Sequence, residues 1–514
     1  MAASINIYQL FPRLFGNKTV MQHFDGDKSE NGCGTFADID DTALKALKEM
    51  GITHIWLTGI LRHASSGETH PDITKGKAGS PYAVTDYYDV DPDLGNMTDF
   101  EQLVSRIHRH RMKVLIDFIP NHVARQCRGF SDENFYLLHG SAFVAPTGNG
   151  YQEIPAKASG NDVFTPNPSI NDWYDTIKLN YEHRDTWQKM LCILQFWCRK
   201  RVDGFRVDMA EMVPLAFWNW CIAELRKTFQ PLLIAEIYKP ELYKPFLDAG
   251  FDYLYDKVGL YNTLEAILRH GQPAESISQV WKNLHDLDAH MLRFMENHDE
   301  VRLASPHFVG DAFAALPAVC VSALMNTGPF MIYNGQENSE NAIGAEGYSG
   351  NDGRTSIFDY CSMPKHQLWM NGGLFDGGKC SLSQNKLRAF YSELLNLRIK
   401  SKAITEGAFY DLMWCNPWFK HFDPQNIYAF LRYHGEERLL IVVNFNRNEG
   451  RQIEMRVPED AQKLMEMEKG NWKAKELFTQ ACIKFDPSQL AGSGLSMTLA
   501  PSQSCIWTLT RQKR

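Results

Sequence analysis

The sequence predicts an α/β protein built on a TIM (β/α)8 barrel, and its pattern and length support this. Eight short, apolar, β-rich runs recur along the first 400 residues, with stretches of helical periodicity between them. Parallel neighbouring strands need crossover connections, so this alternation favours a closed parallel sheet with helices outside it. The 514 residues exceed the roughly 250 that a barrel needs, which leaves room for further modules.

The barrel strands are predicted in order by the short apolar runs. They are Ile5–Leu10, His54–Leu57, Val114–Ile119, Val202–Val207, Leu232–Ile237, Asp252–Tyr255, Met291–Met295 and Phe330–Tyr333. Apolar residues at helical spacing predict helices between them, for example at Leu44–Met50, Phe100–Arg109, Trp187–Lys200 and Phe217–Thr228.

Two regions depart from this alternation. More than 60 residues separate strand three from the helix near Trp187, far beyond an ordinary barrel loop, so an excursion module is expected after strand three. Beyond residue 405, short strands without clear helices predict an antiparallel β-sandwich. Those strands are Ile427–Tyr433, Leu439–Asn444, Gln452–Val457, Leu495–Leu499 and Cys505–Leu509. The predicted domains are a barrel (1–122 and 184–404), an inserted domain (123–183) and a C-terminal sandwich (405–514).

Composition argues against two kinds of partner. The 53 Lys and Arg against 61 Asp and Glu give a net charge of −8, so there is no electrostatic reason to expect nucleic-acid binding. The most apolar stretch, Phe313–Met325, is shorter than the roughly 20 residues of a spanning helix, so no membrane association is expected. The sequence leaves the oligomeric state open.

A cytoplasmic location is expected. Met1-Ala-Ala-Ser leads directly into the first strand, without the basic and apolar regions of a secretion signal. The 11 cysteines form no CxxC pair, and several, such as Cys192, Cys198 and Cys320, lie in apolar runs. Free buried thiols and a reducing compartment follow from that pattern. A secreted protein that has lost its signal remains the alternative.

Acidic side chains follow four of the predicted strands at their C-terminal ends, where barrel enzymes place their chemistry. The four segments are Asp117-Phe-Ile-Pro-Asn121-His122, Gly204-Phe-Arg206-Val-Asp208, Ile234-Ala-Glu236 and Glu296-Asn297-His298-Asp299. A purely structural barrel has no reason to gather so much ionisable surface at one rim, because uncompensated buried charge is costly. The pattern therefore predicts an active site.

These four segments resemble, in order and spacing, the motifs of the α-amylase family of glycoside hydrolases. A fifth segment, Asp175-Thr-Ile-Lys-Leu-Asn180, lies where that family has a further motif late in its inserted module. The resemblance covers nearly the whole chain. It implies a retaining hydrolase that cleaves α-1,4-glucosidic bonds in starch-like glucans or malto-oligosaccharides through a covalent glycosyl-enzyme intermediate, with no cofactor required for the chemistry.

The resemblance also assigns catalytic roles. Asp208 would be the nucleophile, Glu236 the general acid and then base, and Asp299 the group that stabilises an oxocarbenium-like transition state. Retaining glycosidases hold the first two carboxyl groups about 5–5.5 Å apart, and the ends of adjacent strands four and five can supply that spacing.

Further residues would bind the same sugar ring. His298 would grip sugar hydroxyls together with Asp299, and His122 would contact the ring from strand three. Tyr82 matches the family's aromatic platform, with ordinary core packing as its alternative. Arg206 lies two residues before the nucleophile, so both side chains point to the same side of the strand. Its guanidinium would keep the nucleophile ionised. Asp117 is interpreted as a support within the rim.

The sequence departs from the family after the nucleophile. Many members carry a Lys-His pair three and four residues further on, which serves the leaving-group side and helps to bind a structural calcium ion. Glu211 and Met212 stand there instead, which puts the acceptor subsites in doubt. Asn121 is a candidate calcium ligand, and capping or pinning its own loop is the alternative role.

Two other functions remain open. The same catalytic trio could transfer glucose units to a sugar hydroxyl instead of water, as a transglycosylase or isomerase does. A catalytically inactive, glycan-binding barrel is the weaker alternative, because such relatives typically lack the trio and carry a membrane anchor.

Overall fold

A closed barrel of eight parallel strands forms the centre of the protein, which confirms the predicted fold class. The computed structural model describes residues 4–65, 74–124, 126–135, 173, 175–347, 352–417, 419 and 421–512. In chain order, barrel strands one to eight are Asn6–Leu10, His54–Leu57, Lys113–Phe118, Gly204–Val207, Leu232–Ala235, Tyr253–Tyr255, Met291–Phe294 and Phe330–Tyr333. Strand one pairs with both strand two and strand eight, which closes the barrel.

Helices follow the barrel strands and cover the outside of the barrel. The longer ones are Asp41–Glu49, Met97–Arg109, Arg184–Arg199, Leu215–Leu225, Asn262–His270, Ile277–Leu284, Leu316–Leu324 and Leu382–Lys400. Short helices are Pro12–Phe15, Lys28–Asn31, Tyr243–Asp248, Pro364–Met370 and Lys402–Thr405, and Lys257–Tyr261 is a π-helical turn. Single 3-10 turns complete this part; those that matter for the site are Ala210–Met212 and Pro240–Leu242.

Local sequence explains where these helices begin and which face they bury. The Asn96 side chain accepts the backbone N–H groups of Thr98 and Asp99, which caps the helix Met97–Arg109 at its first turn. Leu103 and Ile107, four residues apart, lie on its buried face.

Strand register brings the candidate site residues side by side. Strand three aligns Asp117 with Arg206 of strand four, and strand four aligns Val207 with Ala235 of strand five. Asp208 and Glu236 are the next residues on these two neighbouring strands, so both emerge at the same C-terminal rim. The barrel thus determines the position of the acids.

Two hairpins rise from this rim. Leu61–His63 pairs with Val84–Val90 after strand two, and His122–Ala124 pairs with Thr176–Lys178 after strand three. Most of the expected inserted domain, residues 136–172 and 174, lies outside the described part of the chain. The division into three domains therefore stays a prediction.

The C-terminal region contains the predicted antiparallel sheet. Six strands form it in the spatial order Ala408–Asp411, Ile427–His434, Glu437–Asn444, Ser504–Arg511, Trp472–Glu476 and Cys482–Phe485. A separate two-stranded sheet pairs Arg451–Met455 with Leu495–Leu499. The helices Glu459–Leu464 and Pro487–Ala491 were not expected from the sequence.

Two observations bear on the expectations about membrane and thiols. Within the described ranges, no helix combines the length and the apolar character that crossing a bilayer requires. All eleven cysteines are free, and Cys320 is buried as expected. Cys192 is exposed instead, because it lies on the outer face of the helix Arg184–Arg199.

Candidate active site

One guanidinium joins the acids at the ends of strands three, four and five. Arg206 is 1% exposed, and its Nη1 lies 2.6 Å from Oδ1 of Asp208 and 3.5 Å from Oδ1 of Asp117. Its Nη2 lies 2.8 Å from Oε1 of Glu236, and its Nε–H donates to the hydroxyl of Tyr255 at 3.2 Å. The planar fork of the guanidinium therefore fixes the carboxyl groups of strands four and five relative to each other.

The Glu236 carboxyl group is held from two further directions. The hydroxyl of Tyr238 donates to its Oε1 at 2.7 Å, and the backbone N–H of Met209 donates to its Oε2 at 2.9 Å. Met209 adopts a left-handed conformation (φ 43°, ψ 44°), which is uncommon for a residue with a side chain and points its N–H at the acid. Both oxygens of Glu236 thus have fixed partners.

A second hydrogen-bonded network at the site joins Gln9, His298, Tyr82 and Asp117. The amide nitrogen of Gln9 donates to Nδ1 of His298 at 2.7 Å, which places the imidazole proton on Nε2. That N–H donates to the Tyr82 hydroxyl at 2.6 Å, and the hydroxyl in turn donates to Oδ1 of Asp117 at 3.4 Å. The rings of Tyr82 and His298 stack with their planes 13° apart.

Asp299 stands at the open end of this network. Its Oδ2 lies 3.2 Å from Nε2 of His298, and its side chain is 46% exposed, whereas the His298 side chain is 1% exposed. A carboxylate that is both held at the rim and open to solvent can reach a sugar hydroxyl. The structure thus brings His298 and Asp299 to the same rim as Asp208.

His122 reaches the site from the hairpin after strand three. Its Nε2 lies 4.0 Å from Oδ2 of Asp208, and its ring packs against Trp173 with the centroids 5.0 Å apart. The side-chain amide of Asn121 donates to Nδ1 of His122 at 3.2 Å. This contact favours the pinning role among the two that the sequence left open for Asn121.

Burial dominates the protonation states of the site. It lowers the pKa of His122 to about 4 and that of His298 to about 3, so both imidazoles are neutral at physiological pH. It raises the pKa of Asp208 and of Glu236, and the Arg206 guanidinium opposes this rise in both. The pKa of Asp117 rises to about 7 for the same reason. Burial thus favours the protonated form of these acids, which is the form that a general acid needs.

Comparisons with known proteins agree with this geometry. The family profile described as "Alpha amylase, catalytic domain" matches residues 9–227. Alpha-amylase 3 of Dictyoglomus thermophilum is 25% identical over 473 residues, which cover 86% of this chain and 85% of that protein. Over most of its length the chain is similar to α-amylase family proteins. Neopullulanase 2 of Thermoactinomyces vulgaris is 24% identical and covers 89% of this chain and 72% of that protein.

Solved structures of the α-amylase family share the fold over the full length. An α-amylase from Geobacillus thermoleovorans superposes with a TM-score of 0.70 at 18% identity, and 99% of each chain is covered. A maltogenic α-amylase from Thermotoga neapolitana gives a TM-score of 0.69 at 21% identity with the same coverage. These likenesses extend the shared fold from the barrel to the C-terminal sheet.

Asn121, the predicted calcium ligand, has one unpartnered oxygen, but the described residues group no acidic side chains around a metal position. Oδ1 of Asn121 is buried and has no hydrogen-bond partner within the described ranges, as a metal ligand would. Calcium takes six to eight oxygen ligands, however, and the described chain contains no cluster of three or more His, Cys, Asp or Glu side chains that could hold a metal ion.

Sequence reasoning missed four residues that contact the predicted ones. Gln9 orients His298, the Trp56 indole N–H donates to Asp117 at 3.1 Å, and Tyr238 and Tyr255 contact Glu236 and Arg206. One of them could have been found from the sequence, because Gln9 is a polar residue inside an apolar strand.

The other two glutamates near the fourth motif, its first residue Glu296 and the following Glu300, form ion pairs with residues outside the catalytic trio. Oε2 of Glu296 pairs with Arg302 at 2.9 Å in the core, and Oε1 of Glu300 pairs with Lys257 at 2.8 Å. Their carboxylates are thus engaged by cations.

Proposed function

We propose that this enzyme is a retaining glycoside hydrolase that cleaves α-1,4-glucosidic bonds in starch-like glucans or malto-oligosaccharides. The observation that carries the proposal is the Arg206 guanidinium, which contacts Asp208 and Glu236 at 2.6 and 2.8 Å. Two carboxyl groups held by one side chain at the ends of adjacent strands suit a nucleophile and an acid that work on one glycosidic bond.

The proposed first step forms a glycosyl-enzyme. An Asp208 oxygen attacks the anomeric carbon while Glu236 gives its proton to the departing glycosidic oxygen, and the bond from the anomeric carbon to that oxygen breaks. In the second step Glu236 takes a proton from water, whose oxygen attacks the same carbon and releases Asp208. Asp299 and His298 would hold sugar hydroxyls, and Tyr82 would stack under the ring.

The configuration of the first product tests the retaining mechanism. Proton NMR during the first turnovers of malto-oligosaccharide hydrolysis should show the α anomer before mutarotation sets in. Initial formation of the β anomer would exclude a covalent intermediate on Asp208. Glu236→Gln should spare α-glucosyl fluoride more than maltoheptaose, because fluoride needs little protonation to leave. Equal losses on both substrates would count against the acid role.

Transglycosylation is the second candidate function, and the names of two relatives support it. Neopullulanase 2 of Thermoactinomyces vulgaris and an α-1,4-glucan:maltose-1-phosphate maltosyltransferase of Picrophilus torridus match this chain at 24% and 23% identity. Incubation with maltoheptaose separates the two activities. Only shorter sugars indicate hydrolysis, and longer or rearranged sugars indicate transfer.

A cytoplasmic location and a calcium ligand belong to the same proposal. Eleven free cysteines support a reducing compartment. The unsatisfied Oδ1 of Asn121 is what supports a calcium ligand. A fall in Tm on adding EDTA, reversed by CaCl2 and absent in Asn121→Ala, would support that ligand. An unchanged Tm would remove it.

A further inference from the structure

Glu211 stands where many α-amylase family members have lysine, and its carboxylate faces backbone N–H groups. It lies on the turn Ala210–Met212 after strand four, and its side chain is 8% exposed. Its Oε2 accepts the backbone N–H of Tyr238 at 2.8 Å and that of Lys239 at 3.0 Å. A lysine in this place has three donors and no acceptor, so it could make neither bond.

The segment that Glu211 holds contacts the acid directly. Tyr238 follows Glu236 by two residues, and its hydroxyl donates to Oε1 of Glu236 at 2.7 Å. A chain of two contacts therefore runs from Glu211 through the Tyr238 backbone and ring to the acid. Charge-assisted bonds from N–H groups to a carboxylate are among the stronger hydrogen bonds in proteins, so Glu211 can fix this segment.

We propose that Glu211 is a positioning residue for Glu236 and acts through Tyr238. By fixing the backbone after strand five, it holds the phenol where its O–H points at the acid. The inference rests on the proposed function, since it assumes that Glu236 is the general acid. It explains why a residue of opposite charge to the family's lysine can stand at this position.

The electrostatic consequence concerns the pKa of Glu236. Burial raises this pKa, and the hydrogen bond from Tyr238 lowers it because it stabilises the ionised form. Other titratable or charged groups also face Glu236, so its pKa reports on them too. They are Arg206, Asp208, Asp299, His122, His298 and Tyr255. Removing the Tyr238 bond while these groups stay in place should raise the pKa of the acid.

A double-mutant cycle on the full-length enzyme tests the proposal. Glu211→Ala and Tyr238→Phe should each lower kcat on maltoheptaose by about tenfold, with a smaller change in KM. Both should move the alkaline limb of the kcat/KM profile to higher pH, because that limb reports loss of the acid's proton. In the Tyr238→Phe background, Glu211→Ala should cost less than twofold more.

Two further variants serve as controls. Glu211→Gln keeps an accepting oxygen, so its alkaline limb should stay close to that of the wild type. Glu241→Ala removes an exposed carboxylate from the nearby turn Pro240–Leu242 and should change neither kcat nor the limb. All variants are checked for folding by circular dichroism. If Glu211→Ala does not fold, Glu211→Lys takes its place in the cycle, with the same expected loss of kcat and the same shift of the alkaline limb.

Specific results would overturn the inference. One is an alkaline limb that does not shift in Glu211→Ala. The other is a loss of kcat in the double variant that equals the product of the losses in Glu211→Ala and Tyr238→Phe. Glu236→Gln is measured in parallel. If it hydrolyses maltoheptaose at the wild-type rate, the proposed function itself fails. If it is impaired while the Glu211 cycle gives no coupling, only the positioning role is rejected.

Discussion

Replacing Arg206 with methionine removes the cation that the buried acids share and leaves a side chain of similar size. The guanidinium contacts Asp208, Glu236 and Asp117 at 2.6, 2.8 and 3.5 Å, and it is 1% exposed. Breaking a buried ion pair by deleting one partner costs about 3–5 kcal/mol, because the other charge is left uncompensated. We expect Arg206→Met to lower the free energy of unfolding by that amount near pH 8.

The cost should shrink at low pH, because carboxyl groups can take up protons instead. The pKa of Asp117 is already raised from its ordinary 3.8 to about 7 in the folded protein. At 1.36 kcal/mol per pKa unit, ionising Asp117 in the fold costs about 4 kcal/mol. A carboxyl group whose pKa is raised by folding favours the folded state at low pH, and this contribution is lost between about pH 4 and 7. Without Arg206 the pKa of Asp117 should rise further, so the loss of stability should continue to higher pH.

Equilibrium urea unfolding at pH 5 and pH 8 measures the effect. The destabilisation by Arg206→Met should be at least about 2 kcal/mol smaller at pH 5 than at pH 8. Arg226→Met is the matched control, since Arg226 pairs with Asp252 at 3.1 Å but is 32% exposed. Its cost should stay below about 1 kcal/mol at both pH values. Equal destabilisation of Arg206→Met at the two pH values, or more at pH 5, would refute the reasoning.

Three further predictions concern the site. Asp208→Asn should keep the far-UV circular dichroism and lower kcat at least about 10³-fold, and activity within about tenfold of wild type would reject the nucleophile. Tyr82→Phe keeps the stacked ring but removes the hydroxyl 2.6 Å from Nε2 of His298, so kcat/KM should fall about tenfold; an unchanged value contradicts the network. Burial lowers the pKa of His298 to about 3, so its imidazole NMR signals should not titrate between pH 5 and 8, and a midpoint in that range would disprove the neutral ring.

Periodicity located the barrel well and the C-terminal sheet less well. Barrel strands are buried on both faces and read as continuous apolar runs, so Val114–Ile119 was predicted where Lys113–Phe118 is found. Trp472–Glu476 and Cys482–Phe485 were missed because lysines interrupt their short apolar pattern. A strand with one exposed face carries a weaker signal over four or five residues.

The candidate site was predictable where acidic residues end predicted barrel strands. Asp208, Glu236 and Asp299 stand at such ends, and their roles remain proposals. Gln9 and Tyr238 were missed because each stands alone in the sequence. Gln9 does interrupt an apolar strand, but its partner His298 lies across the barrel, and the partner of the Tyr238 hydroxyl depends on the loop after strand five.

The hydrogen bond between Gln9 and His298 joins residues 289 positions apart, on the first strand and just after the seventh. Strand eight, Phe330–Tyr333, must then close the seam beside strand one through Asn6 and Phe330. On the ribosome, the earliest part of the chain must wait for most of the polypeptide to emerge before these partners meet. We therefore expect nascent chains arrested before Phe330 to lack a closed barrel and to be cut by proteases that the completed barrel resists.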